Sequence, residues 1–263
     1  MAFSVRTDYD RNRRYNLCLY HKPCRMEIRE MIAMGTSIGY AIMAAVCFAA
    51  PVFVFFIAKK YDSAMIYPVI VGAVTYFIAT RMSDLAVWML FSEAPMSYKA
   101  VIATELAAFS EEIGRWLAMK YPVTNIKTSR AAFCFGIGHG GLECYMRGAA
   151  ALKLMAAGNS RNMGLLLGVA DSLNMIVNIG VHIALSLLIF KKIQEQKSLR
   201  WLALAILLHY LLNALVGVVS LGKMPILTGF AGIFFGLGVI LTVYKIIDGE
   251  NVLTEIKYHT DDI

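Results

Sequence analysis

The sequence predicts an all-α polytopic membrane protein of about seven transmembrane helices, with a polar site inside the bundle. Three observations predict this fold class. Hydrophobic residues make up 59% of the 263 residues and charged residues only 16%, whereas soluble domains average about 25% charged. The apolar residues form runs close to the roughly 20 residues that a helix needs to cross a bilayer. Ionisable side chains nevertheless lie inside several runs, where each costs about 2.5–3.5 kcal/mol on insertion scales.

The apolar runs divide the chain into two tails and one membrane domain. We predict a polar N-terminal tail over residues 1–33, a transmembrane helical domain over 34–247 and a C-terminal tail over 248–263. Basic residues flank the spans, as they do at membrane surfaces. The predicted spans, in order, are 34–58, 63–80 with a separate apolar piece at 84–92, 98–119, 131–150, 165–190, 201–221 and 225–244.

Four polar side chains on four predicted helices share one depth. Each lies eight or nine residues from a basic residue at one end of its span: Glu112 from Lys120, His139 from Arg130, His182 from Lys191, and His209 from Arg200. At about 1.5 Å per residue the four lie about 12–14 Å below that face, near the middle of a hydrocarbon core about 30 Å thick. We therefore expect them to meet in one intramembrane site.

The net charge of +7 is explained by topology, since the basic residues lie mostly between apolar runs. No basic patch interleaved with aromatic residues is present, so nucleic acid is not an expected partner. The face nearer the four polar side chains carries about eleven Lys and Arg against about six on the other, when the tail is left aside. We predict a multi-pass protein of the plasma membrane with the site nearer its cytoplasmic face.

The third span carries the motif Glu111-Glu112-Ile-Gly-Arg115. Glu111 and Arg115 are four residues apart and can pair on one helix face. Either glutamate is then a candidate base for activating water, with the other as a structural partner and Arg115 as a supporting residue. The simpler alternative is a salt bridge that only locks helices together.

The fourth span carries a histidine among glycines, Gly136-Ile-Gly-His139-Gly-Gly141. Glycines permit close helix approach, local irregularity of the backbone or room for a bound chain. Glu143 lies four residues after His139 on the same helix face, where it can ligate a metal or orient the imidazole. A glycine-rich helix with a hydrogen-bonded histidine is the simpler alternative.

Two further spans repeat the pairing of a histidine with an amide. Asn213 lies four residues after His209 and can donate a hydrogen bond to an oxyanion that develops in a reaction. Asn178 and Ser186 lie one turn either side of His182. Hydrogen bonding between helices is the simpler alternative for both.

The joint pattern is that of a metal site. Neutral imidazoles with a carboxylate are ligands that first-row metals prefer, with Zn²⁺ as the default. The candidate ligands are His139, His182, His209 and Glu143. Zinc acidifies a bound water, and a glutamate can take its proton. Activation of water by glutamate and histidine without a metal stays open as an alternative.

Four segments resemble the YhfC-like intramembrane metalloproteases: EEIGR at 111–115, FGIGHGGLE at 135–143, HIALSLLIF at 182–190 and LLHYLLN at 207–213. That group is distantly similar to the CAAX-protease and bacteriocin-processing (CPBP) endopeptidases and to the PrsW-type proteases. The CPBP pattern has paired glutamates before an arginine, then FxxxH, then HxxxN. Its matching positions are Glu111, Glu112 and Arg115, Phe135 and His139, and His209 and Asn213. The resemblance implies that Glu111 activates water.

The sequence departs from the CPBP pattern in two places. Arg115 comes one residue early, and His182 and Glu143 belong to the YhfC-like pattern alone. The resemblance implies an intramembrane endopeptidase whose substrate, a membrane-embedded or lipidated peptide or protein, reaches the site from the nearer face. Two other functions use intramembrane histidines: haem binding between axial imidazoles and proton- or cation-coupled transport. A catalytically inactive pseudoprotease is a further alternative.

Overall fold

The structure, a computed structural model, describes residues 22–61, 66–121, 126–157, 164–221 and 225–248. Over these residues it is helical throughout and contains no strand, which confirms the predicted all-α class. The described helices are α1 (Lys22–Tyr61), α2 (Ile66–Leu90), α3 (Met96–Lys120), α4 (Ser129–Ala156), α5 (Leu165–Gln194), α6 (Ser198–Leu221) and α7 (Pro225–Asp248). Residues 1–21 and 249–263, which hold most of both predicted tails, lie outside the described residues.

Two helices differ from the predicted spans. Helix α1 begins at Lys22, inside the predicted tail. Helix α2 runs unbroken from Ile66 to Leu90, so the two apolar pieces predicted at 63–80 and 84–92 are one helix. The polar residues between the pieces are satisfied on the helix itself. Ser83 donates to the carbonyl of Ala79 at 3.1 Å, and Arg81 pairs with Asp84 at 3.0 Å.

Four helical segments among the described residues are long and apolar enough to cross a membrane: Ser37–Ile57, Ile66–Leu90, Leu165–Gln194 and Leu227–Ile247. Helix α6 contributes a shorter apolar stretch, Leu199–Leu215. Helices α3 and α4 have sufficient length, but their charged residues lower their hydropathy. Large apolar side chains on α1 and α2, such as Phe53, Phe77 and Trp88, are exposed. The protein is therefore an integral membrane protein whose two most polar long helices carry much of the site.

Helix α4 packs unusually close to its neighbours. Thr128 caps its first turn, its side chain accepting from the backbone N–H of Ala131 at 3.1 Å, as N-cap residues do. A Cβ atom on Gly138 would lie 1.8 Å from the carbonyl oxygen of Val69 on α2, and one on Gly136 would lie 2.5 Å from Cα of Ile183 on α5. The glycines therefore serve close helix approach, since the helix continues through them without interruption.

Helices α4 and α5 are antiparallel, and each has one buried half. Residues 131–141 of α4 and 181–190 of α5 are all buried except Phe133 and Ile183; we call these two segments the closed half. Residues 142–156 of α4 and 165–178 of α5 alternate between buried and exposed positions; we call them the open half. The functional side chains lie where the two halves meet.

Candidate functional site

The centre of the site is a buried ion pair between Arg115 and Glu112 on α3. The Nε of Arg115 donates to Oε2 of Glu112 at 3.0 Å, and Nη2 donates to Oε1 at 3.1 Å. Both side chains are 0% exposed. The predicted pair of Arg115 with Glu111 is therefore wrong, because the planar guanidinium matches both oxygens of the carboxylate three residues earlier.

Arg115 also ties α3 to α5. Its Nη1 donates to the carbonyl oxygen of His182 at 2.7 Å and to Oγ of Ser186. Its Nη2 lies 2.8 Å from Nδ1 of His182. A guanidinium has no acceptor atom, so Nδ1 of His182 accepts this bond and the ring proton lies on Nε2. The arginine thereby fixes both the tautomer and the orientation of His182.

Each of three histidines contacts one glutamate. The pairs are His139 Nε2 with Glu111 Oε2 at 3.1 Å, His182 Nε2 with Glu143 Oε2 at 2.9 Å, and His209 Nδ1 with Glu112 Oε1 at 2.9 Å. The ring centroids of His139 and His182 are 4.8 Å apart, and those of His182 and His209 are 5.2 Å apart. The predicted polar site inside the bundle is thus confirmed. It contains all four side chains that were predicted to share one depth, Glu112, His139, His182 and His209.

Glu143 contacts a different histidine from the one on its own helix. It accepts from Nε2 of His182 and from the amide of Asn178 at 2.6 Å, both on α5. His139, four residues away on α4, pairs with Glu111 instead. Close approach of α4 and α5 brings His182 within reach of Glu143, so the contact between helices replaces the expected one within α4.

The two adjacent glutamates have different surroundings. Glu112 has both oxygens engaged, by Arg115 and by His209. Glu111 has one hydrogen-bond partner in the described part of the chain, His139. The Nδ1 atom of His139 is buried and has no partner among the described residues. Glu111 and His139 therefore keep hydrogen-bonding capacity that Glu112 and His182 have used.

Asn213 lies on the margin of this cluster. Its amide donates to the carbonyl oxygen of Thr104 at 3.0 Å. Thr104 comes seven residues before Glu111, which is about 10 Å along the helix axis. Asn213 on α6, the predicted oxyanion donor, therefore contacts α3 at a point two turns before Glu111.

One residue of the site carries no signal in the sequence. Tyr76 of α2 is buried, and its ring centroid lies 5.4 Å from that of His139 in an edge-to-face arrangement. A tyrosine in an apolar run is ordinary, so only the packing of α2 against α4 reveals the contact. The nearest sequence clue is Gly72 one turn earlier, where a Cβ would lie 2.0 Å from the carbonyl oxygen of Phe135.

Donor atoms for a metal converge at the same point. One donor atom each from Glu111, His139 and His182 lies within 4.8 Å of the other two. Two ligands of a tetrahedral zinc ion, with bonds of about 2.0–2.2 Å, are about 3.3–3.6 Å apart. Binding of an ion would therefore require the donor atoms to move closer together by about 1 Å. The other two candidate ligands, His209 and Glu143, lie outside this group.

The charge and hydrogen bonding of the cluster fit a divalent ion. Three carboxylates (Glu111, Glu112, Glu143) and one guanidinium (Arg115) give a formal charge of −3 + 1 = −2 when the histidines are neutral. The unpartnered Nδ1 of His139 is a ligand atom that needs no bond broken. His182 has both nitrogens engaged, so ligation by it requires exchange of one bond. With that exchange the residues fit the metal.

The fold and site define a class of protein: a polytopic, all-helical membrane protein with a buried cluster of histidine, glutamate and arginine that can hold a metal. The sequence model of the family described as YhfC intramembrane metalloprotease matches residues 43–171. This confirms the resemblance to that family, and the matched segment contains Glu111, Glu112, Arg115, His139 and Glu143.

A relative agrees with the family match. The chain is 26% identical over 220 residues to the uncharacterized membrane protein YhfC of Bacillus subtilis strain 168, with 70% of this chain and 84% of the relative covered. No solved structure matches the chain with significance. The chain is thus similar to the YhfC family over these residues, and its activity has to be argued from the site.

Proposed function

We propose that the protein is an intramembrane endopeptidase that hydrolyses a peptide bond in a membrane-embedded or lipidated substrate. The observation that carries the proposal is the contrast between adjacent glutamates: Arg115 and His209 bind Glu112, whereas Glu111 contacts His139 alone among the residues that the structure describes. The carboxylate of Glu111 is thereby available to take a proton from water, which is what hydrolysis requires. The family description supports the same reaction class.

In the proposed mechanism Glu111 is the general base. A water held between its carboxylate and the His139 imidazole loses a proton to the carboxylate and attacks the scissile carbonyl. The protonated Glu111 then gives this proton to the amine nitrogen as the C–N bond breaks, which releases the amine and restores the carboxylate. Glu112, Arg115 and His209 hold α3 and α6 in register around this point. Asn213 stays the predicted oxyanion donor. Its amide contacts Thr104, about 10 Å along α3 from Glu111, so this role requires Asn213 to move towards Glu111 when substrate binds.

The same side chains are proposed to hold a metal ion. Glu111, His139 and His182 would be its ligands, and Glu143 would orient His182 through the hydrogen bond at Nε2. Zinc in such a site supplies an acidified water and a Lewis acid for the carbonyl. A carboxylate–histidine contact of this kind is typical of residues that support metal ligands.

The haem alternative conflicts with the spacing of the rings. A haem held between two axial imidazoles separates the two rings by the thickness of the macrocycle and its iron bonds. Here the centroids of His139 and His182 are 4.8 Å apart, and those of His182 and His209 are 5.2 Å apart. The His182 ring thus contacts both of the other rings, which favours a compact site for water or one ion.

The test is cleavage by purified protein in proteoliposomes, with a library of model transmembrane peptides and detection of the products by mass spectrometry. Glu111→Gln should lower the rate about 10²–10⁴-fold, the usual contribution of a general base. Glu105→Gln on the same helix is the matched control, since no hydrogen bond or ion pair joins Glu105 to the cluster among the described residues, and it should retain activity. Equal activity of both variants would refute the base role of Glu111. Absence of any cleavage by wild type would favour a pseudoprotease or a transporter.

Metal analysis separates two roles for Glu111. We expect about one zinc ion per chain in purified wild type and none in a His139→Ala/His182→Ala variant. If Glu111 is a ligand, Glu111→Gln loses both metal and activity. If it is only the base, Glu111→Gln keeps the metal and loses activity. Wild type that is active and free of metal would support activation of water by glutamate and histidine alone.

A further inference from the structure

The surroundings of the site differ between the two ends of the bundle. Towards the connections between α3 and α4 and between α5 and α6, the space is filled by one apolar cluster that includes Met119, Ile126, Leu188, Leu202 and Ala205. Each of these side chains is buried. A cavity lined by Lys120, Gln196, Lys197 and Arg200 lies at this end, which is the end predicted to be cytoplasmic. Among the described residues, the buried apolar side chains of the cluster lie between this cavity and His182.

Exposure rises in the opposite direction along α4. The side chain of His139 is 0% exposed, that of Glu143 one turn later is 14% exposed, and that of Arg147 one further turn on is 54% exposed. These three residues share one helix face, since each lies four positions after the last. The cluster therefore opens towards the end of the bundle where α4 ends and α5 begins.

Helix α5 presents a matching polar strip. Asp171, Asn174 and Asn178 lie on the same face as His182, at spacings of three and four residues, and all three are half-buried. Asn178 contacts Glu143 of α4. On α7, a Cβ at Gly232 would lie 2.5 Å from Oδ1 of Asn174, so this glycine leaves room for the amide. Polar side chains at membrane depth face the bundle interior or a water-filled cavity.

We propose that water and an extended, polar segment of the substrate reach the site along this strip, which we call the polar route: Glu143, Arg147, Asp171, Asn174 and Asn178. The proposal rests on the proposed peptidase function. It places access at the face opposite to the one that the basic residues suggested. His182 lies 17 residues from the start of α5, about 25 Å along the helix.

The length of the route defines the class of substrate. An extended chain covers about 3.3 Å per residue, so about eight residues are needed to span 25 Å. The substrate is therefore a membrane-bound polypeptide with an unwound segment of about eight residues next to the face of the α4–α5 connection.

The test is labelling of introduced cysteines in detergent-purified protein by a charged, water-soluble maleimide, resolved by site with mass spectrometry. Asn174→Cys lies nine residues from one end of α5 and Ala184→Cys ten residues from the other, so their depths match. Buried thiols react only through local opening, and we expect Asn174→Cys to react at least about tenfold faster. Equal rates, or faster labelling at Ala184→Cys, would overturn the proposal.

A second pair of cysteine variants checks the result in case one variant of the first pair does not fold. Asp171→Cys and Leu187→Cys lie six and seven residues from the two ends of α5, and the same order of rates is expected. Labelling needs no peptidase activity, so its outcome stands even if the proposed function fails. In active protein, a bulky maleimide on Asn174→Cys should reduce cleavage more than a methyl-sized thiol reagent does. Equal loss with both reagents would mean that the substrate does not pass Asn174.

Discussion

The closed and open halves of α4 and α5 differ in what they contribute to the site: the closed half packs tightly, and the open half leaves the site reachable. In the closed half, nearly every side chain is buried, and Gly136 and Gly138 bring backbones into contact. In the open half, polar side chains such as Glu143 and Asn178 are only partly buried. The site lies at the boundary, where Arg115 and the histidines are sealed on one side and reachable from the other. Rigidity and access are thus separated along the helix axis.

The pairing of charges follows the same division. Arg115 donates hydrogen bonds to Glu112, His182 and Ser186, so its charge is compensated within the protein. Arg147 in the open half pairs with Glu143 at 3.9 Å and has no other ion pair among the described residues. A charge sealed from water must be paired and hydrogen-bonded, whereas one that contacts water need not be. The expected effect of a substitution is therefore largest at the sealed Arg115 and smallest at Arg147.

The largest effect is expected for the sealed pair. Arg115→Met should destabilise the protein by about 3–5 kcal/mol, because it leaves the Glu112 charge buried and unpaired. Arg81→Met is the matched control, since Arg81 also pairs with a carboxylate three residues away but is 51% exposed. It should cost at most about 1 kcal/mol. Thermal unfolding in detergent measures both, and equal losses would mean that the closed half is not sealed.

The next effect concerns backbone contact in the closed half. Gly138→Ala should cost about 1–3 kcal/mol or more, because the added Cβ meets the backbone of Val69, which cannot rotate away. Gly238→Ala on α7 is the control, since a Cβ there meets nothing within 4 Å. It should be neutral or stabilising by about 0.5–1 kcal/mol. Denaturant unfolding distinguishes the two, and tolerance of Gly138→Ala would contradict the close approach of α2 and α4.

Much of the site was predictable because ionisable residues in apolar runs are rare and their depth can be counted. The shared depth of Glu112, His139, His182 and His209 needed only the helical rise and the basic flanks. The helices were predictable for the same reason, since apolar runs of this length have few alternatives in a membrane. The exception was α2, where Arg81 and Ser83 suggested a break that the helix absorbs.

The partners within the site were not predictable. Sequence spacing favoured Glu111 with Arg115 and Glu143 with His139, both four residues apart on one helix. The structure pairs each glutamate differently, because rotation of the helices and their separation decide which side chains meet. The uneven burial of α4 did have a signal in the sequence, since residues 131–138 carry no charged side chain, whereas Glu143, Arg147 and Lys153 follow His139. Contacts between helices are the information that a single sequence lacks.

A smaller effect is expected for Asn178, which holds Glu143 from the open half. Asn178→Ala should lower kcat/KM about 10–100-fold, as loss of residues that orient ligands does, because Glu143 then holds His182 less firmly. Ser172→Ala on the same helix is the control, since among the described residues its hydroxyl bonds only to the carbonyl of Gly168. Activity in proteoliposomes measures both. Unchanged kcat/KM in Asn178→Ala would mean that His182 needs no support from Glu143.

The smallest effect should come from Arg147, and it bears most directly on the comparison. If water fills the open half, the contact between Arg147 and Glu143 is screened, and Arg147→Gln should cost only about 0.2–1 kcal/mol. The difference from wild type should shrink further as salt is raised, since the Debye length falls to about 3 Å at 1 M. Thermal unfolding at low and high salt measures this. A loss of several kcal/mol that does not change with salt would show that water does not reach the contact between Arg147 and Glu143. The polar route would then be closed at its Arg147 end.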